Sequence, residues 1–139
     1  MLIALYIVIV HWIADFIFQA EEWANNKSRW NSHLFAHVSM YTMIWGLLGI
    51  FLFLSPCDAS VFGYCVDLPK FGAQFGAFLG ITFIAHFITD YITSRIVKRR
   101  FDDKYYGSPI PNLGAFTIIG FDQVLHYTQL FLTYHFLTH

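Results

Sequence analysis

The sequence predicts an all-α protein, an integral membrane bundle of four transmembrane helices, and two observations support this class. The chain of 139 residues is 57% hydrophobic and only 12% charged, with a mean hydropathy of +0.52. Soluble domains carry roughly twice that share of charge. The apolar residues also gather into four long runs, and about 20 apolar residues are enough to cross the hydrocarbon core of a bilayer.

The first two runs are separated by a polar, aromatic connection. Residues 2–19 are apolar except for His11, Asp15 and Gln19, and this length is about sufficient for a span. The connection contains two tryptophans, which suit the membrane–water interface. The second run, residues 33–54, precedes a Ser-Pro pair that ends the helical pattern.

The third run, residues 71–93, contains a stripe of small residues spaced four apart, Gly72, Gly76 and Gly80. Such a stripe favours close approach of helices, either within the chain or between copies in an oligomer. A charged segment ending in two prolines follows, and the fourth run covers residues 113–138. A single four-helix domain over residues 1–139 is therefore predicted.

The basic residues predict the orientation of these spans. Seven of them lie in the first and third connections, whereas the second connection contains Lys70 alone. The positive-inside rule then places the first and third connections in the cytoplasm. Both termini and the loop 55–70 would face the opposite side, which is the periplasm if the membrane is a bacterial inner membrane. The basic residues are juxtamembrane and mixed with acids, so no nucleic-acid partner is expected.

The loop 55–70 contains both cysteines, Cys57 and Cys65. In an oxidising periplasm they could form a disulfide. Two free thiols remain the alternative, because connectivity does not follow from sequence.

Every long run also carries residues that bind metals well. A spacing of four puts two side chains on one face of a helix, about one turn apart. A carboxylate in an apolar segment is costly to bury unless it is paired or bound to a metal. Counting from the cytoplasmic ends at about 1.5 Å per residue places these residues in the same half of the membrane. The seven predicted ligands of one shared site are His11, Asp15, His37, His86, Asp90, Asp122 and His126.

Imidazole and carboxylate ligands suit a divalent metal, zinc first and manganese or iron next. Seven ligands are too many for one tetrahedral zinc, and they fit two ions or one ion with additional supporting residues. Two divalent ions among three carboxylates would leave a site of about +1, which attracts a phosphate. Metal-bound hydroxide would be the nucleophile. The carboxylates predicted to act in catalysis, one of them as general base, are those of Asp15, Asp90 and Asp122.

Four further residues are predicted to support the site. Gln19 and Gln123 would donate hydrogen bonds to the ligands. Tyr41, one turn after His37, would contact substrate or simply pack in the core. Lys27 would hold a lipid phosphate or serve only as a topology determinant.

An ordered set of motifs resembles a family of small, uncharacterised membrane proteins of phages and bacteria, a domain of unknown function. The set covers nearly the whole chain and comprises His11-x3-Asp15-Phe16-x2-Gln19, Lys27, Leu34-x2-His37-x3-Tyr41, His86-Phe87-x2-Asp90-Tyr91 and Asp122-Gln123-x-Leu125-His126.

More distantly, the chain resembles membrane-bound metal-dependent hydrolases regulated by the SOS repressor. These are similar in turn to the all-helical zinc phospholipase C group, which also places His-x3-Asp or His-x3-Glu pairs on helices. This chain lacks the N-terminal Trp ligand of that group. The resemblance implies phosphoesterase activity, with ligands carried over only at the pairs His11/Asp15, His86/Asp90 and Asp122/His126.

Three functions follow as expectations. The first is a metal-dependent hydrolase that acts on a phospholipid or polyprenyl-phosphate substrate among the membrane lipids that surround it. The second is transport of protons, ions or metal through the same buried residues. The third is a non-catalytic phage membrane protein that acts on a host membrane partner. The sequence leaves open whether the protein is an enzyme.

Overall fold

The computed structural model describes residues 2–56, 64–65, 67–102 and 113–139. These residues form five α-helices and one pair of two-residue antiparallel strands. Cys57 lies outside the described residues, so its predicted bridge to Cys65 stays a prediction. The elements are α1 (Leu2–Trp12), α2 (Glu21–Asn26), α3 (Asn31–Leu48), β1 (Ser55–Pro56), β2 (Tyr64–Cys65), α4 (Leu68–Asp102) and α5 (Leu113–Thr138).

The first apolar run ends in a π-helical turn, Ile13–Ile17, which follows α1 directly. The turn is closed by a hydrogen bond of 3.1 Å from the backbone N–H of Phe18 to the carbonyl of Ile13. Such wider turns are rare and often occur at functional sites. This one contains Asp15, whose side chain is buried. The helical run therefore stops two residues before its predicted end at residue 19.

Helix α2 was not predicted and occupies the polar connection between the first two runs. It begins with Glu21 and Glu22, and acidic residues are favourable at the positive end of the helix dipole. Its six residues are all at least partly exposed, and the helix packs against the start of α3. The turn that follows α2 brings Lys27 towards the interior.

Helix α3 continues into a 3-10 turn, Gly49–Phe53, and together they cover the second predicted span. The turn requires glycine at its first position. A Cβ on Gly49 would lie 2.9 Å from Cε3 of Trp45, closer than real side chains approach. Trp45 in turn packs edge-to-face on Phe78 of α4, with ring centroids 5.4 Å apart.

Helix α4 has 35 residues and continues nine residues past the predicted end at residue 93. The extension is a charged helix, in which Lys98 pairs with Asp102 one turn later at 2.7 Å. Its sequence favours this, since opposite charges four apart support an exposed helix. Within the part of the chain that the structure describes, the glycine stripe of α4 does not pack against another helix, because a Cβ at Gly72, Gly76 or Gly80 would meet nothing there within 4 Å.

Helices α4 and α5 pack along most of their length, and α1 and α3 complete the bundle. An apolar core fills the part of the bundle farther from α2. Its members come from all four long helices. The buried residues of this core are Ile7, Val10, Ala14, Tyr41, Ile44, Trp45, Leu52, Phe53, Phe78 and Leu130.

Two helical stretches in the described residues are long and apolar enough to cross a membrane by length and composition. They are Asn31–Phe53 and Leu68–Asp102. Four spans were predicted. The stretch Leu2–Ile17 is apolar but shorter, since the π turn ends it early. Helix α5 is long enough, but polar residues such as Asp122, Gln123 and Gln129 lower its mean hydropathy.

Candidate metal centre

The structure brings all seven predicted ligands into one buried cluster between α1, α3, α4 and α5. The most exposed of them, Asp122, has only 9% of its surface accessible. Six of the seven form three overlapping groups of three residues. Within each group the nitrogen and oxygen atoms lie within 4.8 Å of one another, so that each group could hold a metal ion. These groups are Asp15/His37/His86, His86/Asp90/His126 and Asp15/Asp122/His126.

Four atoms surround a first position. Nε2 of His37 lies 3.1 Å from Oδ1 of Asp15, 3.2 Å from Oδ2 of Asp90 and 3.2 Å from Nε2 of His86. Nε2 of His86 lies 3.7 Å from each of the same two oxygens. In a tetrahedral site with bonds of about 2.0–2.1 Å, neighbouring ligand atoms lie about 3.3 Å apart. The distances from Nε2 of His37 match this spacing, and those from Nε2 of His86 to the two oxygens are about 0.4 Å longer.

Two carboxylates face His126 at a second candidate position beside the first. Nε2 of His126 lies 3.2 Å from Oδ1 of Asp90 and 3.4 Å from Oδ1 of Asp122. Asp90 therefore presents Oδ2 to the first position and Oδ1 to the second. A carboxylate placed in this way would be able to hold an ion with each oxygen.

One ligand atom at the first position has no hydrogen-bond partner. Oδ1 of Asp15 is buried and accepts no hydrogen bond among the described residues, although it faces Nε2 of His37. A buried carboxylate oxygen without a donor is costly. A divalent cation would satisfy it, so the residues present fit such an ion.

His11, predicted as a ligand, belongs to none of these groups. Its ring nitrogens are both hydrogen-bonded to neighbouring side chains. The hydroxyl of Tyr41 donates to Nδ1 at 2.7 Å, and Nε2 donates to Oε1 of Gln123 at 2.8 Å. With both nitrogens engaged, His11 supports the site from one layer behind it.

Gln123 transmits this support to two carboxylates. Its amide Nε2 lies 3.2 Å from Oδ2 of Asp15 and 3.2 Å from Oδ2 of Asp122. Gln123 therefore leaves the Oδ1 atom of each carboxylate to other partners. Thr93, which was not predicted as a site residue, donates from its hydroxyl to Oδ1 of Asp122 at 2.6 Å. Thr93 lies three residues after Asp90 and therefore on the same face of α4, and this spacing could have predicted its place in the site.

Tyr41 is fully buried and stacks on the ring of His86, with centroids 3.8 Å apart. The ring of His86 stacks on that of His126 in turn, at 4.1 Å. The stack fixes the orientation of both imidazoles. Because it is enclosed, Tyr41 packs against ligands and does not line the pocket described next.

A pocket of about 570 Å³ opens from the metal centre towards α2 and the charged end of α4. Asp15, Asp90 and Asp122 form its floor, and Gln19 and Gln123 also line it. Cationic side chains line its outer part, and its apolar wall belongs to the π turn Ile13–Ile17, α4 and α5. The cations are Lys27, Arg29 and Lys98, and the apolar residues are Phe16, Val97, Phe101 and Ile119.

Lys27 extends from the end of α2 into this pocket, and its Nζ lies 2.7 Å from Oδ2 of Asp90. Burial opposes the charge on Lys27, but the carboxylates of Asp90 and Asp15 outweigh that effect. They raise the pKa of the ammonium above its ordinary value, so Lys27 is charged at neutral pH. A cation therefore already pairs with an oxygen of the first metal position.

No curated protein and no solved structure matches this chain significantly. A family model does match, and it covers residues 2–139 with the description "Protein of unknown function (DUF3307)". The match includes every residue of the metal centre and every residue that lines the pocket. The chain belongs to the DUF3307 family.

Proposed function

We propose that this protein is an integral membrane, metal-dependent hydrolase with four membrane-spanning helices. Large apolar side chains on the outer faces of all four long helices support membrane insertion, for example Leu5, Leu47, Ile84 and Phe136. A soluble surface would not carry so many together. We place the protein in a bacterial inner membrane, with the metal centre in the cytoplasmic half and both termini in the periplasm.

The convergence of two buried carboxylates on Nε2 of His37 and Nε2 of His86 is the observation that carries the proposal. A carboxylate oxygen from each of Asp15 and Asp90 and two imidazole nitrogens would hold the first ion. Asp90 and His126 would hold a second, with Asp122 beside it. Ions at these positions would polarise a phosphoryl oxygen and lower the pKa of bound water. Zinc fits best, because the ligands are imidazole and carboxylate groups.

Asp122 is the carboxylate best placed to accept a proton during hydrolysis. Its side chain is 12% exposed, against 5% for Asp15 and 2% for Asp90. It lines the pocket, and Gln123 and Thr93 fix its two oxygens. Asp15 and Asp90 would remain ligands, because both are buried against imidazoles.

The pocket suits an amphiphilic phosphate ester. Its floor would bind the phosphate through metal, its outer cations would attract the negative charge, and its apolar wall would contact lipid chains. A phospholipid or a polyprenyl phosphate has this combination of groups. Such a substrate would enter from the cytoplasmic leaflet, beside α2.

A metal assay on the full chain purified in detergent tests the proposal. We expect one or two equivalents of a transition metal, and phosphate release from lipid vesicles that stops after chelation and returns with zinc. The matched control is His139→Ala, an exposed residue far from the centre, which should leave both unchanged. A metal content below about 0.2 equivalents would contradict the proposal.

Transport is a second candidate, because polar residues continue beyond the metal centre along the seam of α4 and α5. Nε2 of Gln129 lies 3.1 Å from Oγ1 of Thr133 and 3.4 Å from Oγ1 of Thr82, a fully buried residue. None of these three residues was predicted to have a role. Zinc or proton flux into proteoliposomes, lost in Gln129→Leu without any lipid hydrolysis by the wild type, would favour transport.

A further inference from the structure

Lys27 and a metal ion would use the same oxygen atom. Nζ of Lys27 lies 2.7 Å from Oδ2 of Asp90, and that oxygen also faces Nε2 of His37 and His86 at the first metal position. In the metal-free protein the ammonium offsets part of the repulsion among three buried carboxylates. A divalent ion would bind this oxygen at about 2.0–2.2 Å and repel the ammonium.

Lys27 has somewhere to go when it is repelled. Its side chain is 17% exposed and lines the pocket that leads outwards past Arg29 and Lys98. The lysine stem is flexible, and its residue follows a short helix that has no buried side chain. The ammonium can therefore leave Asp90 without any movement of the four long helices.

A phosphate in the pocket would give the displaced ammonium a new partner. The phosphate would sit above the carboxylate floor, at the depth from which Lys27 now reaches Asp90. An ammonium is a compact donor with three hydrogens, suited to phosphate oxygens. With two ions bound, the centre would carry about +1, and Lys27 would add to its attraction for the anion.

We propose that Lys27 changes partner during loading: it pairs with Asp90 in the metal-free protein, and it binds the phosphate group of the substrate once metal has taken the Asp90 oxygen. The inference rests on the proposed metal-dependent function. It makes Lys27 a substrate-binding residue and a competitor of the metal. A lysine that served only as a topology determinant would be neither.

Zinc binding to the full chain in detergent tests the first half by calorimetry. Removal of a competing cation in Lys27→Met should tighten zinc binding by about 10-fold, within the range typical of coupled sites. Lys27→Arg keeps the charge and should stay near the wild type. Lys98→Met, which removes a pocket cation paired with Asp102 instead, should change zinc affinity less than 2-fold.

The two failures are distinguishable. A wild type that binds no zinc would overturn the proposed function. If the wild type binds zinc and Lys27→Met binds it equally well or more weakly, the exchange of partners alone is overturned. A lysine that only supports the structure would give this result, because its removal would leave the zinc affinity unchanged or lower it.

Chemical labelling of the wild type tests the exchange without any variant. Acetic anhydride labels free amines, and mass spectrometry gives the rate at each lysine. We expect Lys27 to be protected in the metal-free protein, to react at least 5-fold faster after zinc loading, and to be protected again when phosphate is added. A constant rate at Lys27 across the three states would overturn the proposal, and Lys98 is the internal reference.

Two probes distinguish a free phosphate from a lipid phosphate as the ligand of Lys27. Each is added to zinc-loaded protein from which excess zinc has been removed, and the labelling of Lys27 is measured. Inorganic phosphate presents the anion alone, and short-chain phosphatidic acid presents the same group on a lipid. We expect the lipid to protect Lys27 at a concentration at least 10-fold lower, because the pocket has an apolar wall. Equal concentrations would overturn the lipid as the ligand, and protection by neither would overturn Lys27 as a phosphate-binding residue.

Discussion

Asp90 contacts other residues of the metal centre through both of its carboxylate oxygens. One oxygen faces His37, His86 and Lys27, and the other faces His126. Asp90→Ala should therefore lower metal affinity by at least about 10-fold, since even supporting residues contribute 10–100-fold. It should also lower stability without metal by about 1–3 kcal/mol, because the buried imidazoles of His37 and His126 lose a carboxylate partner.

Metal titration and thermal unfolding in detergent would measure both effects of Asp90→Ala. His139→Ala is the control and should match the wild type in each. An Asp90→Ala protein with wild-type metal content and stability would show that the centre is wrongly assigned.

At the level of residues, His11 shows which part of the site could be predicted from the sequence and which part could not. The four-residue spacing from Asp15 made it look like a ligand, but hydrogen bonds to Tyr41 and Gln123 occupy both of its nitrogens. Helical spacing predicts which residues share a face. It does not predict which nitrogen is free, because that depends on partners 30 and 112 residues away in the chain.

The structure therefore predicts different results for two histidine variants. His11→Ala should keep the metal stoichiometry and lower affinity by about 10-fold, since it only supports the carboxylates through Gln123. His37→Ala should lose one equivalent, because its Nε2 is central to the first position. Metal counting at saturating zinc distinguishes them, and the loss of an equivalent in His11→Ala would make it a ligand after all.

At the level of elements, the apolar runs predicted where helices lie better than how they end. The π turn of Ile13–Ile17 contains no Gly or Pro that would have indicated it. Helix α2 is short and polar, and it acquires its place by packing on α3. Helix α4 continues beyond residue 93 because charged residues also form good helices outside an apolar environment.

The 3-10 turn after α3 depends on close contact with Trp45. Gly49→Ala should destabilise the protein by about 1–3 kcal/mol, since its Cβ would lie 2.9 Å from the indole ring and force it to shift. Gly46→Ala is the matched control in the same segment. A Cβ there would meet none of the described residues within 4 Å, so alanine should stabilise the helix by about 0.5–1 kcal/mol. Thermal unfolding in detergent measures both, and equal stability of the two variants would contradict the packing described.

At the level of the whole molecule, the number of helices that could cross a membrane depends on α1 and α5. Length and composition single out Asn31–Phe53 and Leu68–Asp102. Asp122 and His126 lower the mean hydropathy of α5, but they face the bundle interior and not its surroundings. The outer face of α5 carries Phe116, Phe121, Leu132 and Phe136, all exposed and apolar. Inward-facing polar side chains thus lower the mean hydropathy of α5, while its outer face suits lipid.

Helices α1 and α5 should therefore both cross, and the two termini should lie together on the side opposite α2. As a helix, the stretch Leu2–Ile17 would be about 24 Å long, which is shorter than the usual hydrocarbon core of about 30 Å. Local thinning of the bilayer can accommodate this difference. Alkaline phosphatase, which is active only after export, should be active when fused after His139 and inactive when fused after Asp102. A fluorescent protein that requires the cytoplasm should give the reverse. Phosphatase activity after Asp102 would place the charged end of α4 and the pocket outside the cytoplasm, and it would exclude entry of substrate from the cytoplasmic leaflet.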